Sequence, residues 1–136
     1  MSNYVISDIH GHYDLFKEML DKIHFSETDH LYILGDLIDK GPEPIKLIFE
    51  IMNMKNVTFL IGNHEKMMLE AIEDGDYVLW YNNSGYYTES LIDQLDEVQY
   101  KNMMHFINRA PYYKEIVVND QKFFLSHAEY INVHDE

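Results

Sequence analysis

The sequence has no cysteine, a single arginine, three prolines and no apolar run long enough to cross a bilayer. Without cysteine there is neither a disulfide framework nor a thiolate metal site. Arg109 is the only guanidinium, and 24 acidic against 10 basic residues leave a formal charge of −14. A nucleic-acid backbone is therefore an unsuitable partner, because Lys and Arg supply that binding. The N-terminus runs from a short apolar stretch straight into polar residues, unlike a signal peptide. The expectation is a cytoplasmic protein that binds neither nucleic acid nor membrane.

What is present is an ordinary globular balance, 46% hydrophobic and 25% charged over 136 residues. That suffices for one domain, residues 1–136, with one core. No internal repeat, low-complexity tract or linker divides it. Short apolar runs alternate with amphipathic stretches, the mark of an α/β fold. Residues 4–7, 31–34 and 56–61 read as strands. Residues 13–23 and 42–54, and a segment beginning near His64, read as helices. From 76 to 109 the pattern is helical but less regular, with WYNNSGYY as a break. Residues 112–118 and 122–126 alternate as a hairpin around Asn119-Asp120. Methionine and aromatic residues at helical spacing read as core filling with no cofactor role.

Chemistry-bearing residues cluster where these strands end. The first strand ends in Ser7-Asp8-Ile9-His10-Gly11, and the second in Gly35-Asp36-Leu37-Ile38-Asp39-Lys40-Gly41. The third ends in Gly62-Asn63-His64-Glu65, and the last in Ser126-His127-Ala128. In α/β sheets the carboxyl ends of strands meet at one edge, where ligands bind. Asp, His, Asp, Asn and His would thus be delivered to one place. Carboxylate, imidazole and amide-oxygen donors suit manganese, iron or zinc better than copper(I). Any one of these residues alone would read as a helix cap or a surface group; their joint occurrence at successive strand ends does not.

The motifs DIHG, GDLIDKG and GNHE, followed by SHA, resemble those of the calcineurin-like metallophosphoesterases, nearest the branch of bacterial and phage serine/threonine phosphoprotein phosphatases. The resemblance runs from Asp8 to His127. It implies a β-sandwich flanked by helices, in α-β-β-α layers, and two divalent metal ions, manganese first, with iron or zinc as alternatives. Asp8 and His10 would ligate one ion, Asp36 would bridge both, and Asn63 and His127 would ligate the second. Lys40 and Asn63 would bind the substrate phosphate. His64 would be the general acid, with Asp39 holding its ring, and metal-activated water would attack a phosphate monoester of a protein or small molecule. A diadenosine polyphosphate hydrolase and an inactive metal-binding remnant are the alternative readings.

Two departures from the family pattern bear on these expectations. Members often carry Arg where Lys40 stands, and some carry another at Ile61; Arg109 could compensate only if the fold brings it to the cleft. Members also continue through a further sheet segment with a Gly-His-Thr-like motif, and none follows His127. The expectation is therefore a chain lacking its C-terminal strands, a weaker second metal and a homodimer formed through exposed sheet surface. His12 is expected to line the cleft and Glu65 to support the site or cap the third helix. His24, His30 and His105 read as surface or core residues, and His134 as part of a solvated acidic tail.

Overall fold

Strands β1 (Asn3–Ile6), β2 (His30–Leu34) and β3 (Val57–Leu60) lie side by side in that order, all parallel, in a computed structural model that describes residues 1–128. Tyr4 pairs with Leu31 and Ile33 with Phe59, which sets the three strand ends level. Parallel neighbours require crossover connections. Helices α1 (Tyr13–Lys22) and α2 (Pro44–Met52) provide them. Each helix is apolar on one face. Phe16 and Leu20 of α1 are buried, as are Leu47, Ile48 and Ile51 of α2, together with Leu31 and Ile33 of the central strand. Burying one such side chain contributes about 1.5–3 kcal/mol before entropy is counted.

Helix α3 (Asn63–Asp74) follows β3 with only Ile61 and Gly62 between them. It ends at Gly75, which takes the left-handed C-cap conformation (φ 74°). Three more helices follow: α4 (Val78–Asn82), α5 (Gly85–Ile92) and α6 (Glu97–Arg109). The segment expected to break is two helix ends meeting. Trp80 and Tyr81 lie within α4, the chain turns at Asn83 and left-handed Ser84, and Gly85 opens α5. Gly85 is required there, since a Cβ would run into the Trp80 ring. Asp96 and Gln99 form a capping box at the start of α6. Met103 and Ile107 of α6 join the core, and Phe106 stacks on Phe59 of β3 at 5.5 Å.

The last described elements, β4 (Tyr113–Val118) and β5 (Gln121–Ser126), form the expected antiparallel hairpin, with Asn119 and Asp120 left-handed at its turn. They make a sheet of their own, so the strand leading to His127 is not a fourth member of the parallel sheet. The Ile61 N–H donates to Pro111 O (2.9 Å), which ties the approach to β4 onto the end of β3. Val117 (65% exposed) and Phe123 (44% exposed) leave much apolar surface on the hairpin. His134 lies outside the described residues. No helix among the described residues is long and apolar enough to cross a membrane.

Candidate metal centre

Beyond the ends of β1 and β2 the backbone continues to pair. Asp8 N–H donates to Gly35 O (3.1 Å), His10 N–H to Asp36 O (2.9 Å) and Gly11 N–H to Leu37 O (2.7 Å). The first two motifs are thereby zipped together. Their curvature requires left-handed backbone at Asp8, His10, Asp36, Asp39 and Lys40 (φ 46–71°). Such positions cost on the order of 1–2 kcal/mol each for a non-glycine residue. Gly35 (φ 84°) admits the third motif, because a Cβ on it would collide with the Gly62 backbone.

The third motif is locked on by Glu65. This carboxylate is fully buried and accepts four backbone N–H groups: Asp36 (2.7 Å) and Gly62 (2.9 Å) on Oε1, Leu37 (2.8 Å) and Ile38 (3.4 Å) on Oε2. Burial pushes its carboxyl above the ordinary range, and the N–H donors oppose that rise. Glu65 thus combines both expected roles, a prop for the site and a cap for α3.

The predicted donors do converge. His10 Nε2 lies 3.5 Å from Asp8 Oδ1 and 3.8 Å from Asp36 Oδ2, while His127 Nε2 lies 3.1 Å from Asp36 Oδ2. Among the described residues two groups within metal-holding reach result, Asp8–Asp36–His127 and His10–Asp36–His64, with Asp36 common to both. The grouping differs from the one the motifs imply in setting Asp8 with His127 and His64 with His10. Both candidate ligand histidines have a fixed tautomer, because Nδ1 of His10 donates to Ile38 O (2.8 Å) and Nδ1 of His127 to Leu34 O (2.5 Å). Each Nε2 lone pair is left facing the carboxylates, as ligation requires.

The chemistry of this donor set fits divalent cations. Asn63 Oδ1 stands 2.9 Å from His127 Nε2, so acceptor faces acceptor. Turning the amide over would let its NH2 donate to both Asp36 oxygens and to His127 Nε2 at 2.9–3.1 Å. Hydrogen bonding alone favours that flipped amide; a cation demands the oxygen-inward one. The two carboxylates are also crowded. Burial raises the Asp36 carboxyl, and its neighbour Asp8 adds to the rise. For Asp8, burial is outweighed by the Ser7 hydroxyl (Oγ–Oδ2 2.6 Å) and by His127 and His10, and its carboxyl falls below the ordinary range. Adjacent carboxylates pushed apart in this way are relieved by a cation between them.

His64 stands at the edge of this cluster, its ring 5.0 Å from that of His10. Its Nδ1 donates to Asp39 Oδ2 at 2.7 Å, with Asp39 fully buried. The Asp39 hydrogen bond holds the imidazolium above its ordinary range, against desolvation. Two further groups grip the same carboxylate, one on an aromatic residue that reads as core filling and one on a residue that carries no local signal. Trp80 Nε1–H donates to Oδ2 (2.8 Å) and the Thr88 hydroxyl to Oδ1 (2.7 Å). The signal that could have found them is polar atoms on residues otherwise fully buried.

Lys40 is exposed and lines a groove of about 500 Å³ with Gly41, Pro42, Ser84, Tyr86 and Tyr87. Arg109 sits at the end of α6, where its contact is with His105 Nε2 (3.3 Å). His12 is exposed at the N-cap of α1, His24 is exposed, and His30 bonds Thr58 Oγ1 (2.7 Å).

A profile of the family described as calcineurin-like phosphoesterase matches residues 1–136. Over 128 residues the chain is 33% identical to serine/threonine-protein phosphatase 2 of Salmonella typhimurium, covering 93% of this chain and 58% of that protein. Over 130 residues it is 32% identical to the symmetrical bis(5'-nucleosyl)-tetraphosphatase of Buchnera aphidicola, covering 94% and 44%. The chain therefore spans about half the length of the curated relatives it matches. A crystal structure described as a candidate diadenosine tetraphosphatase superimposes with a TM-score of 0.61 at 18% identity, covering 80% of this chain and 42% of that one. That likeness concerns the fold.

Proposed function

The chain belongs to the calcineurin-like phosphoesterases, and from that premise we propose that it is a metal-dependent phosphatase of phosphate monoesters, with phosphoserine and phosphothreonine as its substrate class. One observation carries the proposal: two donor groups share Asp36, and in one of them stands His64, held by the buried Asp39. Asp8, His10, Asp36, Asn63 and His127 are the proposed ligands. When bound there, divalent cations supply Lewis acidity to phosphoryl oxygens and acidify water.

The chain's own residues supply the rest. The exposed Lys40 ammonium attracts the phosphate, as a mobile point charge rather than the planar fork an arginine would offer. His64 keeps its Nδ1 proton on Asp39 and presents Nε2 to the substrate. As water oxygen bonds to phosphorus on one side, the bond to the alcohol oxygen breaks on the other. The Nε2 proton passes to that departing oxygen, and solvent restores it afterwards. No side chain needs to become covalently attached.

Similarity to serine/threonine-protein phosphatase 2 across 93% of the chain supports the monoester reading. The likeness to symmetrical bis(5'-nucleosyl)-tetraphosphatases supports a second, in which a nucleotide phosphate leaves. A phosphoserine peptide, 4-nitrophenyl phosphate and a dinucleoside tetraphosphate, each assayed with manganese, separate the two. Phosphate release from the first two is expected, abolished on both by Asp36→Asn and on the phosphoserine peptide, whose leaving alkoxide needs a proton, by His64→Asn. Turnover of the dinucleotide alone would favour the second reading, and traces equal to blank for all three would leave an inactive metal-binding protein.

A further inference from the structure

Asp39 is held more firmly than an orienting carboxylate requires. His64 Nδ1–H (2.7 Å) and Trp80 Nε1–H (2.8 Å) converge on Oδ2, and the Thr88 hydroxyl (2.7 Å) occupies Oδ1. Thr88 Oγ1 in turn accepts the Asp39 backbone N–H (3.2 Å), closing a ring between the two residues. Trp80 is 1% exposed, and Thr88 and Asp39 are not exposed at all. The two donors come from different helices, 41 and 49 residues beyond the acid they bind. The α4–α5 junction is shaped for this, since Gly85 alone leaves room for the Trp80 ring.

A carboxylate bonded only to an imidazole can turn about its terminal torsion, which is broad, and carry the ring with it. Donors fixed on both oxygens remove that freedom. We propose that Trp80 and Thr88 are positioning residues for the acid step: by locking Asp39 they aim His64 Nε2 at the leaving oxygen. The proposal rests on the hydrolase reading above. Burial alone would demand only that each polar group find some partner. Here three otherwise unrelated groups all choose one carboxylate, the one that orders the candidate acid.

The test uses Thr88→Val, which removes the hydroxyl at nearly constant volume, and Thr88→Ser, which restores it. Trp80→Phe removes the indole donor, and Ile107→Val on α6 is a control for general core loosening. Two readouts are taken. The first is the slowly exchanging His64 Nδ1–H resonance by ¹⁵N-edited NMR in protein without added metal, assigned by its loss in His64→Asn. The second is kcat with manganese on phenyl phosphate, a poor leaving group, and on 4-nitrophenyl phosphate, whose leaving group departs without a proton.

Thr88→Val and Trp80→Phe should lose the resonance and lower kcat on phenyl phosphate about tenfold or more, against less than about threefold on the nitrophenyl ester. Thr88→Ser and Ile107→Val should keep both the resonance and the wild-type ratio of rates. A resonance that survives Thr88→Val and Trp80→Phe overturns the proposal, as does an equal loss on both esters. Should wild type hydrolyse neither ester, the hydrolase reading fails, and the resonance alone decides whether the clamp fixes the ring.

Discussion

Glu65 Oε1 accepts the backbone N–H of Asp36 at 2.7 Å, so a buried carboxylate fixes the residue on which both metal-holding groups depend. Glu65→Gln would turn one oxygen into an NH2 facing backbone donors. Leaving those groups unsatisfied costs about 1–3 kcal/mol. The expected outcome is a urea midpoint lowered to match, with manganese affinity weakened about 10–100-fold because the ligand loops lose their support. An unchanged midpoint and unchanged titration calorimetry would show that the N–H groups find other partners.

Asp36 and Asp8 should differ in their effect on metal content. Asp36 belongs to both donor groups and Asp8 to one. Asp36→Asn is expected to remove both ions and Asp8→Asn one, measured as metal per chain by mass spectrometry after equilibration with manganese. With the ligands grouped as the motifs imply, Asp8, His10 and Asp36 against Asp36, Asn63 and His127, the site that includes Asn63 should also be the weaker in wild type, since an amide oxygen brings no charge. Two equally tight ions would contradict this.

Asp29 offers a pH prediction away from the metal ligands. Its carboxylate accepts Ser26 N–H (2.9 Å) and Ser2 N–H (2.8 Å), and these bonds, Ser26's foremost, hold it below its ordinary value of 3.8. A group depressed in the folded state stabilises above its unfolded value and ceases to do so as pH falls through the folded one. Asp29→Asn should therefore lower the urea midpoint at neutral pH, with the difference from wild type shrinking once pH drops below 3.8. A difference constant across that range would exclude the linkage.

The hairpin predicts association. Val117 and Phe123 are 65% and 44% exposed on a sheet that, among the described residues, has two strands. Light scattering should show mass rising with concentration, and Val117→Lys with Phe123→Ser should suppress the rise. A monodisperse monomer over a wide concentration range would remove the homodimer from consideration.

The strand ends and the convergence of the candidate donors upon them were legible because each lies beside its own structural signal. An apolar run stops, a glycine follows, and the chemistry sits between, as at Leu34-Gly35-Asp36 and Ile61-Gly62-Asn63. Glu65 could be read in part from its place in the first turn of α3. Trp80 and Thr88 could not, because their partner is fixed by tertiary packing and no local spacing records it. The hairpin was recognised by its alternation, but alternation carries no information on which sheet it joins. The WYNNSGYY break falls at Asn83 and left-handed Ser84, where asparagine and serine lower helix propensity, while the buried Trp80 ahead of it belongs to α4 and Gly85 after it opens α5.

Ser7 and His127, whose side chains approach within 3.4 Å, are 120 residues apart in the chain. At about 5–20 residues per second, a ribosome takes roughly 6–24 s to make that stretch. The residues of β1, β2 and β3 all emerge well before it ends, so Asp8, His10, Asp36 and Asn63 exist together in the nascent chain before His127 does. An ion that arrives during this interval meets a pocket open on one side. On the proposed reading, the identity of a bound metal would thus depend on when it was captured as well as on how tightly the finished pocket holds it.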